Sequence, residues 1–199
     1  EYISAQRQRF ALMKLGAFLH DIGKPQALRH EDGKIKFHGH EKIGIDITQE
    51  ICARLRLSND ERQALEKMVL WHLRPGYLAD QRLPSARAIF RYFRDTGQES
   101  LSTLLISLAD QRATKGPLTT RASRLRHEKL VAGLIKEYFD RKNEKKLPRL
   151  ITGDDLLKRF KLTPSPLIGK ILLKVEELQA IGKIKSKKEA LAAASRIIP

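Results

Sequence analysis

Long apolar runs, cysteine, aromatics and turn formers are all scarce in this chain. No apolar stretch approaches the roughly 20 residues that a membrane-spanning helix needs, and no signal peptide opens the chain. A single cysteine, Cys52, excludes an internal disulfide framework and fits a reducing compartment. Aromatics are 6%, so the core has to be mostly aliphatic. Twelve glycines and eight prolines are too few for a turn-rich β-sandwich. These absences lead us to expect a soluble, cytoplasmic protein. The chain opens on Glu1 rather than Met, which suggests a piece of a longer protein.

What is present is helix-forming and basic. The 199 residues are 41% hydrophobic, enough for one domain with a small appendage. Thirty-nine Lys and Arg stand against 23 Asp and Glu, a formal charge of +16. An excess of this size attracts polyanions, because each neutralised phosphate releases counterions. The density is highest in residues 141–199, with 15 basic and 6 acidic residues.

The apolar periodicity is helical almost throughout and predicts an all-α fold. Residues 5–22 are apolar nearly all round, as expected of a helix at the domain centre. Residues 41–57 space Ile43, Ile47, Ile51 and Leu55 four apart. Ser58 and Glu61 form a capping box ahead of a helix that aligns Leu65, Met68, Val69, His72 and Leu73. Pro84–Ser85 starts another helix, with Ile89, Phe90 and Phe93 inside and Gly97 at its end. Residues 98–113 carry Leu101, Leu104, Leu105 and Leu108, and a basic helix runs from about 119 to 142. The one strand-like stretch is Lys34–Phe37.

Charge and proline interrupt the pattern at Lys145-Lys146-Leu147-Pro148. Beyond it, Thr152 to Asp155 starts a helix and the Pro166 region starts the next, with Leu167, Ile171, Val175 and Leu178 on one face. Gly182 stops that helix, and Ser186 with Glu189 caps a last one. The divisions expected are 1–116, a connecting basic helix over 117–147, and a helical tail over 148–199. The tail has few large apolar residues and is expected to pack against the main body.

Chemistry points to the six histidines. His20-Asp21 ends the first helix and can offer a nitrogen and an oxygen to a divalent cation, or can simply cap that helix. His38 and His40 flank Gly39, which lets the backbone approach a neighbour closely. His72 shares the inward face of its helix. Asp110 lies with Thr103, Ile106 and Ser107, off the leucine face. That stripe faces either solvent or a site, and periodicity does not choose.

Taken in order, Leu19-His-Asp-Ile-Gly-Lys-Pro25, Phe37-His-Gly-His-Glu41, Trp71-His-Leu73 and Leu108-Ala-Asp110 resemble the HD phosphohydrolase superfamily. The tail adds Leu150-Ile-Thr-Gly-Asp-Asp-Leu156, Pro166-Leu-Ile-Gly169, Val175-Glu-Glu-Leu-Gln-Ala180 and Lys187-Lys-Glu-Ala190. With it, nearly the whole chain resembles the C-terminal part of bacterial tRNA nucleotidyltransferases and poly(A) polymerases. The resemblance implies an HD-type helical bundle followed by a small helical tail domain. It implies that His20, Asp21 and Asp110 hold a divalent metal (Mn, Mg, Ni, Co or Fe), with His40 and His72 on a second metal or on the phosphate. Asp21 and Lys24 are then the catalytic candidates. Lys24 and Arg74 each fit either a phosphate contact or a solvated surface. The family pattern begins with one further histidine, and no histidine precedes His20 here. His127 stands outside the motif.

The expected partners are tRNA or another structured RNA and an upstream nucleotidyltransferase domain, with no membrane. Arg112, Lys115, Arg121, Arg124, Arg126 and Lys129 make one basic track, and Lys183, Lys185, Lys187 and Lys188 a second. Few aromatics interleave, so reading of shape and phosphate fits better than base stacking. The expected activity is metal-dependent phosphohydrolysis in tRNA 3′-end processing. The competing expectation is a non-catalytic RNA-binding body that serves the upstream transferase.

Overall fold

The structure is a computed structural model, and it describes residues 2–3, 7–81, 83–116, 119–143 and 148–198. Within these the fold is all-α apart from one small hairpin. The helices are α1 (Arg9–Leu19), α2 (Lys24–Ala27), α3 (His40–Arg54), α4 (Asn59–Trp71), α5 (Arg74–Asp80), α6 (Ala86–Thr96), α7 (Ser100–Ala113), α8 (Arg121–Asn143), α9 (Gly153–Phe160), α10 (Pro166–Ala180) and α11 (Lys187–Ser195). Strands β1 (Arg29–Glu31) and β2 (Lys34–Lys36) pair antiparallel. Asp32 and Gly33 both take positive φ at the turn, as a tight hairpin requires. No helix among the described residues is long and apolar enough to cross a membrane.

The contacts divide the chain into two units. One comprises Glu1–Pro84 and Tyr92–Lys142, and the other Ser85–Arg91 and Asn143–Pro199. The boundary expected at Lys145-Lys146-Leu147 lies outside the described residues, as do residues 5 and 6 of the expected first helix.

In the first unit, α4 packs on α3 and on α1, and α7 closes on α1 and α4. Leu12, Cys52, Ala64, Leu65, Met68 and Ile106 form its central cluster. Gly16 lies under Met68, where a Cβ would come within 2.6 Å of the sulfur, so α1 and α4 meet closely. Tyr92 is fully buried and donates to the Ser100 carbonyl at 2.7 Å, fixing the turn into α7.

Three expectations need correction here. Helix α1 is not buried all round: Leu12, Gly16 and Leu19 face in, while Phe10 is 58% and Phe18 82% exposed. Among the described residues the core packs on the Leu12, Gly16 and Leu19 side of the helix. Helix α3 buries His40, Gly44, Thr48 and Cys52, one position round from the expected isoleucine stripe, whose Leu55 is exposed. Small and polar side chains take the inner face because α3 approaches Gly23 and Val69 closely, leaving no room for isoleucine. In α6 the fully buried residues are Tyr92 and Thr96, whereas Ile89, Phe90 and Phe93 are only partly covered.

The second unit has its own core, contrary to the expectation of a tail poor in apolar residues. Ile151, Leu156, Ile171, Val175, Ile184, Ala190 and Ala194 are buried together. Capping boxes at Thr152/Asp155 and Ser186/Glu189 begin α9 and α11. Medium aliphatics and alanines on three short helices suffice, because each contributes a whole face to one centre. Glu177 is buried in this unit and held by Arg87, Arg91 and Lys174.

Candidate metal centre and basic surface

Four helix ends bring the polar residues together. His20 follows the last residue of α1, His72 follows the last residue of α4, His40 opens α3, and Asp110 sits in the last turn of α7. The chain can place His40 beside Asp21 because of two glycines. Gly39 has φ +79°, the left-handed conformation from which α3 starts. No atom lies close to it, so its conformation, rather than the expected close approach, is its use. The close approach belongs to Gly23, where a Cβ would lie 2.2 Å from the His40 carbonyl oxygen.

Asp21 is the hub. Its Oδ1 lies 3.2 Å from His40 Nε2 and 3.7 Å from His72 Nε2. Its Oδ2 lies 3.2 Å from His20 Nε2 and 2.5 Å from Lys24 Nζ. Asp110 Oδ1 is 3.6 Å from His20 Nε2. His20, Asp21 and His72 each present a ligand atom within 4.8 Å of the others. His40 is adjacent, with its Nε2 3.3 Å from that of His72.

The three histidines share one device. Each Nδ1 meets the carbonyl oxygen three residues back: His20 to Ala17 at 2.8 Å, His40 to Phe37 at 2.8 Å and His72 to Val69 at 2.7 Å. On His40 and His72 those acceptors assign the proton to Nδ1 and leave Nε2 facing the centre as a lone pair. Two such lone pairs 3.3 Å apart, on His40 and His72, repel unless a proton or cation lies between them. His20 Nε2 is buried and, although close to both carboxylates, makes no well-aligned hydrogen bond. A donor set of three imidazoles and two carboxylates suits a divalent transition metal better than the all-oxygen preference of magnesium. The residues therefore fit the group.

The electrostatics divide the site. Burial by itself would lower the His20 pKa, but the carboxylates of Asp110 and Asp21 outweigh it and push it up to about 10. His72 goes the other way, down to about 4, because burial dominates. Asp21 is held well below the carboxylate range, burial being outweighed by His20 and Lys24. His20 likewise lowers Asp110.

The stripe left open in α7 faces inward: Thr103, Ile106 and Ser107 are buried, and Asp110 continues it into the site. The leucine face is the less covered one, with Leu105 37% exposed. Lys24 stands beside Asp21 and over the Phe37 ring at 5.7 Å. Arg74 instead stacks on Trp71 at 5.2 Å and reaches Asp95 at 3.9 Å.

Of the basic track, Lys115, Arg121, Arg126 and Lys129 are exposed. Arg112 is paired with Glu128 at 2.9 Å, and Arg124 donates to the Thr114 carbonyl at 2.9 Å. In the second unit Lys183, Lys185 and Lys188 are exposed, and Lys187 pairs with Asp155 at 2.6 Å.

His127 was not singled out from sequence. It is 3% exposed, and its Nε2 lies 3.1 Å from Ser107 Oγ. A signal existed: His127, Val131 and Leu134 are spaced as the inward stripe of α8. The surrounding charge hid it.

Residues 7–115 match the HD domain family, and residues 120–194 match tRNA nucleotidyltransferase domain 2. The chain is 29% identical over 192 residues to the A-adding tRNA nucleotidyltransferase of Deinococcus radiodurans, covering 93% of this chain and 41% of that protein. It is 29% identical over 184 residues to the CC-adding tRNA nucleotidyltransferase of Thermus thermophilus, covering 90% and 38%. A multifunctional CCA protein of Legionella pneumophila is 33% identical over 79 residues, 40% of this chain and 19% of that protein. The chain thus spans about two fifths of the length of the first two relatives.

Proposed function

The chain belongs to the HD-domain family, and from that membership and the convergence of its histidines we propose a divalent-metal centre that hydrolyses phosphoesters on RNA. The observation that carries the proposal is the facing pair of His40 and His72 Nε2 atoms beside the Asp21 carboxylate. His20, Asp21, His40, His72 and Asp110 would hold the cation. A divalent cation there supplies Lewis-acid polarisation of a phosphoryl oxygen and an acidified water. Asp21 touches all three histidines and orients them, and its low proton affinity keeps it anionic. Lys24, tethered by Asp21 and lying over Phe37, neutralises a phosphate oxygen at the rim. The Nδ1 hydrogen bonds to Ala17, Phe37 and Val69 keep the rings from turning, so the ligand geometry is set before substrate arrives.

The RNA assignment rests on charge and on the relatives' names. The proposed organisation is a metal-binding body over residues 1–116, a basic connecting helix over 117–147 and an RNA-binding tail over 148–199. The whole acts in tRNA 3′-end processing, downstream of a nucleotidyltransferase portion in the longer protein. The exposed cations on α8 and beside α11 then track the phosphate backbone.

Three measurements on the wild-type chain test this together: metal content after dialysis against Mn²⁺, phosphate release from a phosphodiester, and tRNA affinity as a function of salt. We expect retained metal and Mn²⁺-dependent turnover, with tRNA affinity falling steeply as salt rises. A chain that stays metal-free and inactive while binding tRNA refutes the hydrolase and leaves the helices as an RNA scaffold. Salt-independent tRNA affinity refutes the basic track.

A further inference from the structure

Arg124, His127 and Glu128 are spaced i, i+3 and i+4, which puts them on one side of α8. All three engage residues 107–114, on both sides of Asp110. Arg124 donates to the Thr114 carbonyl, Glu128 accepts from Arg112, and His127 meets Ser107. The Thr114 hydroxyl and backbone N–H in turn both donate to the Asp110 carbonyl at 2.8 Å.

These ties are not equivalent. Arg112 and Glu128 are solvent-exposed, and pairs of that kind contribute little. Ser107 and His127 are both buried, so losing either partner leaves a polar group unpaired in the interior. The imidazole keeps only half its polar capacity in use, because its Nδ1 is buried with no hydrogen-bond partner among the described residues. Ser107 is one helical turn before Asp110, on the same stripe.

We infer that the Ser107–His127 pair positions Asp110 for the metal centre, so that α8 serves that centre as well as carrying the basic surface. The inference rests on the metal-centre reading above. His127 touches none of the five proposed ligands in the observed contacts and acts through α7, which makes it a positioning residue.

The test uses the full chain and Mn²⁺ alone, titrated well below the unfolding temperature. His127→Ala and Ser107→Ala should each weaken Mn²⁺ binding by about tenfold, the low end of what outer supporting partners contribute. The double variant should lose little more than either single one, because one interaction is being removed twice. His127→Gln keeps an amide group for Ser107 and should recover most of the affinity. If His127→Ala does not fold, Ser107→Ala, which keeps the helix, carries the test. Folded variants with wild-type Mn²⁺ affinity overturn this inference alone, even if their unfolding temperature falls. A wild-type chain that binds no Mn²⁺ overturns the metal-centre reading and this inference with it.

Discussion

Of the twelve buried polar or charged side chains among the described residues, eleven lie in the unit that carries the histidines and one, Glu177, in the C-terminal unit. The C-terminal core is aliphatic, with Leu156, Ile171 and Ala190 fully buried, and its single buried charge is surrounded by three cations. The first unit instead buries His40, His72 and His127 beside threonines, serines and two glutamates. Most of these buried polar groups have hydrogen-bond partners, and burying one without a partner costs about 1–3 kcal/mol. A fold that concentrates such groups in one unit gives up some apolar packing there and gains positioned, desolvated donors. The C-terminal unit makes no such exchange: Glu177 is its one buried charged side chain among the described residues.

The comparison breaks most sharply at Asp21. Asp21→Ala removes the one carboxylate shared by His20, His40 and His72 and should abolish metal retention and any metal-dependent turnover. Circular dichroism should show the fold retained, and tRNA affinity should be nearly unchanged. Equal loss of tRNA binding would mean that the metal centre and the basic surface are not separable.

Leu156→Ala probes the other side. Truncating a fully buried leucine costs about 2–5 kcal/mol. The C-terminal unit should unfold at lower denaturant, and tRNA affinity should fall. Mn²⁺ affinity should stay within about twofold of wild type, the additivity expected of sites that share no partners. Lost metal binding would show that the cores are energetically joined.

The smallest effect expected is a pH dependence. Burial would raise the Glu177 pKa, but hydrogen bonds from Arg91 and Lys174 outweigh it, so the folded value lies below the unfolded one. Stability from this group is therefore full above the unfolded carboxylate range, near pH 4.5, and is lost as pH falls through the lowered folded value. Glu177→Gln should flatten the acid limb of the unfolding curve. Asp155, held at about 2 by Lys187 and by Thr152, should keep part of the slope. An unchanged acid limb would show that the Glu177 pKa is the same in the folded and unfolded states.

Much of this was legible in the chain, because the signals were local. The capping boxes at Ser58, Thr152 and Ser186 are read over four residues and occur where expected. The breaks at Gly97 and Gly182 hold for the same reason, since positive φ is a property of the residue itself. Which face of a helix turns inward was less legible. Helix α3 exposes Leu55 and buries Thr48, and α1 leaves Phe18 in solvent. Apolar residues mark the available stripes, but the neighbour's shape selects among them.

The candidate site shows the same division. The order His20-Asp21, His40, His72, Asp110 carries a family pattern and names the ligand types. It does not say that Asp21 lies between three imidazoles, that each Nδ1 is taken by a carbonyl three residues back, or that the Asp110 stripe is the buried one. It says nothing of His127, which lies 20 residues beyond its partner Ser107. The sequence by itself determined helix content, caps, charge and the kinds of donor available, because these depend on composition and on spacing within a turn or two. Only the tertiary structure decided which donors meet. Residues 19 to 90 positions apart become neighbours through packing of α1, α3, α4 and α7, and that packing is set by the summed fit of many side chains rather than by any motif.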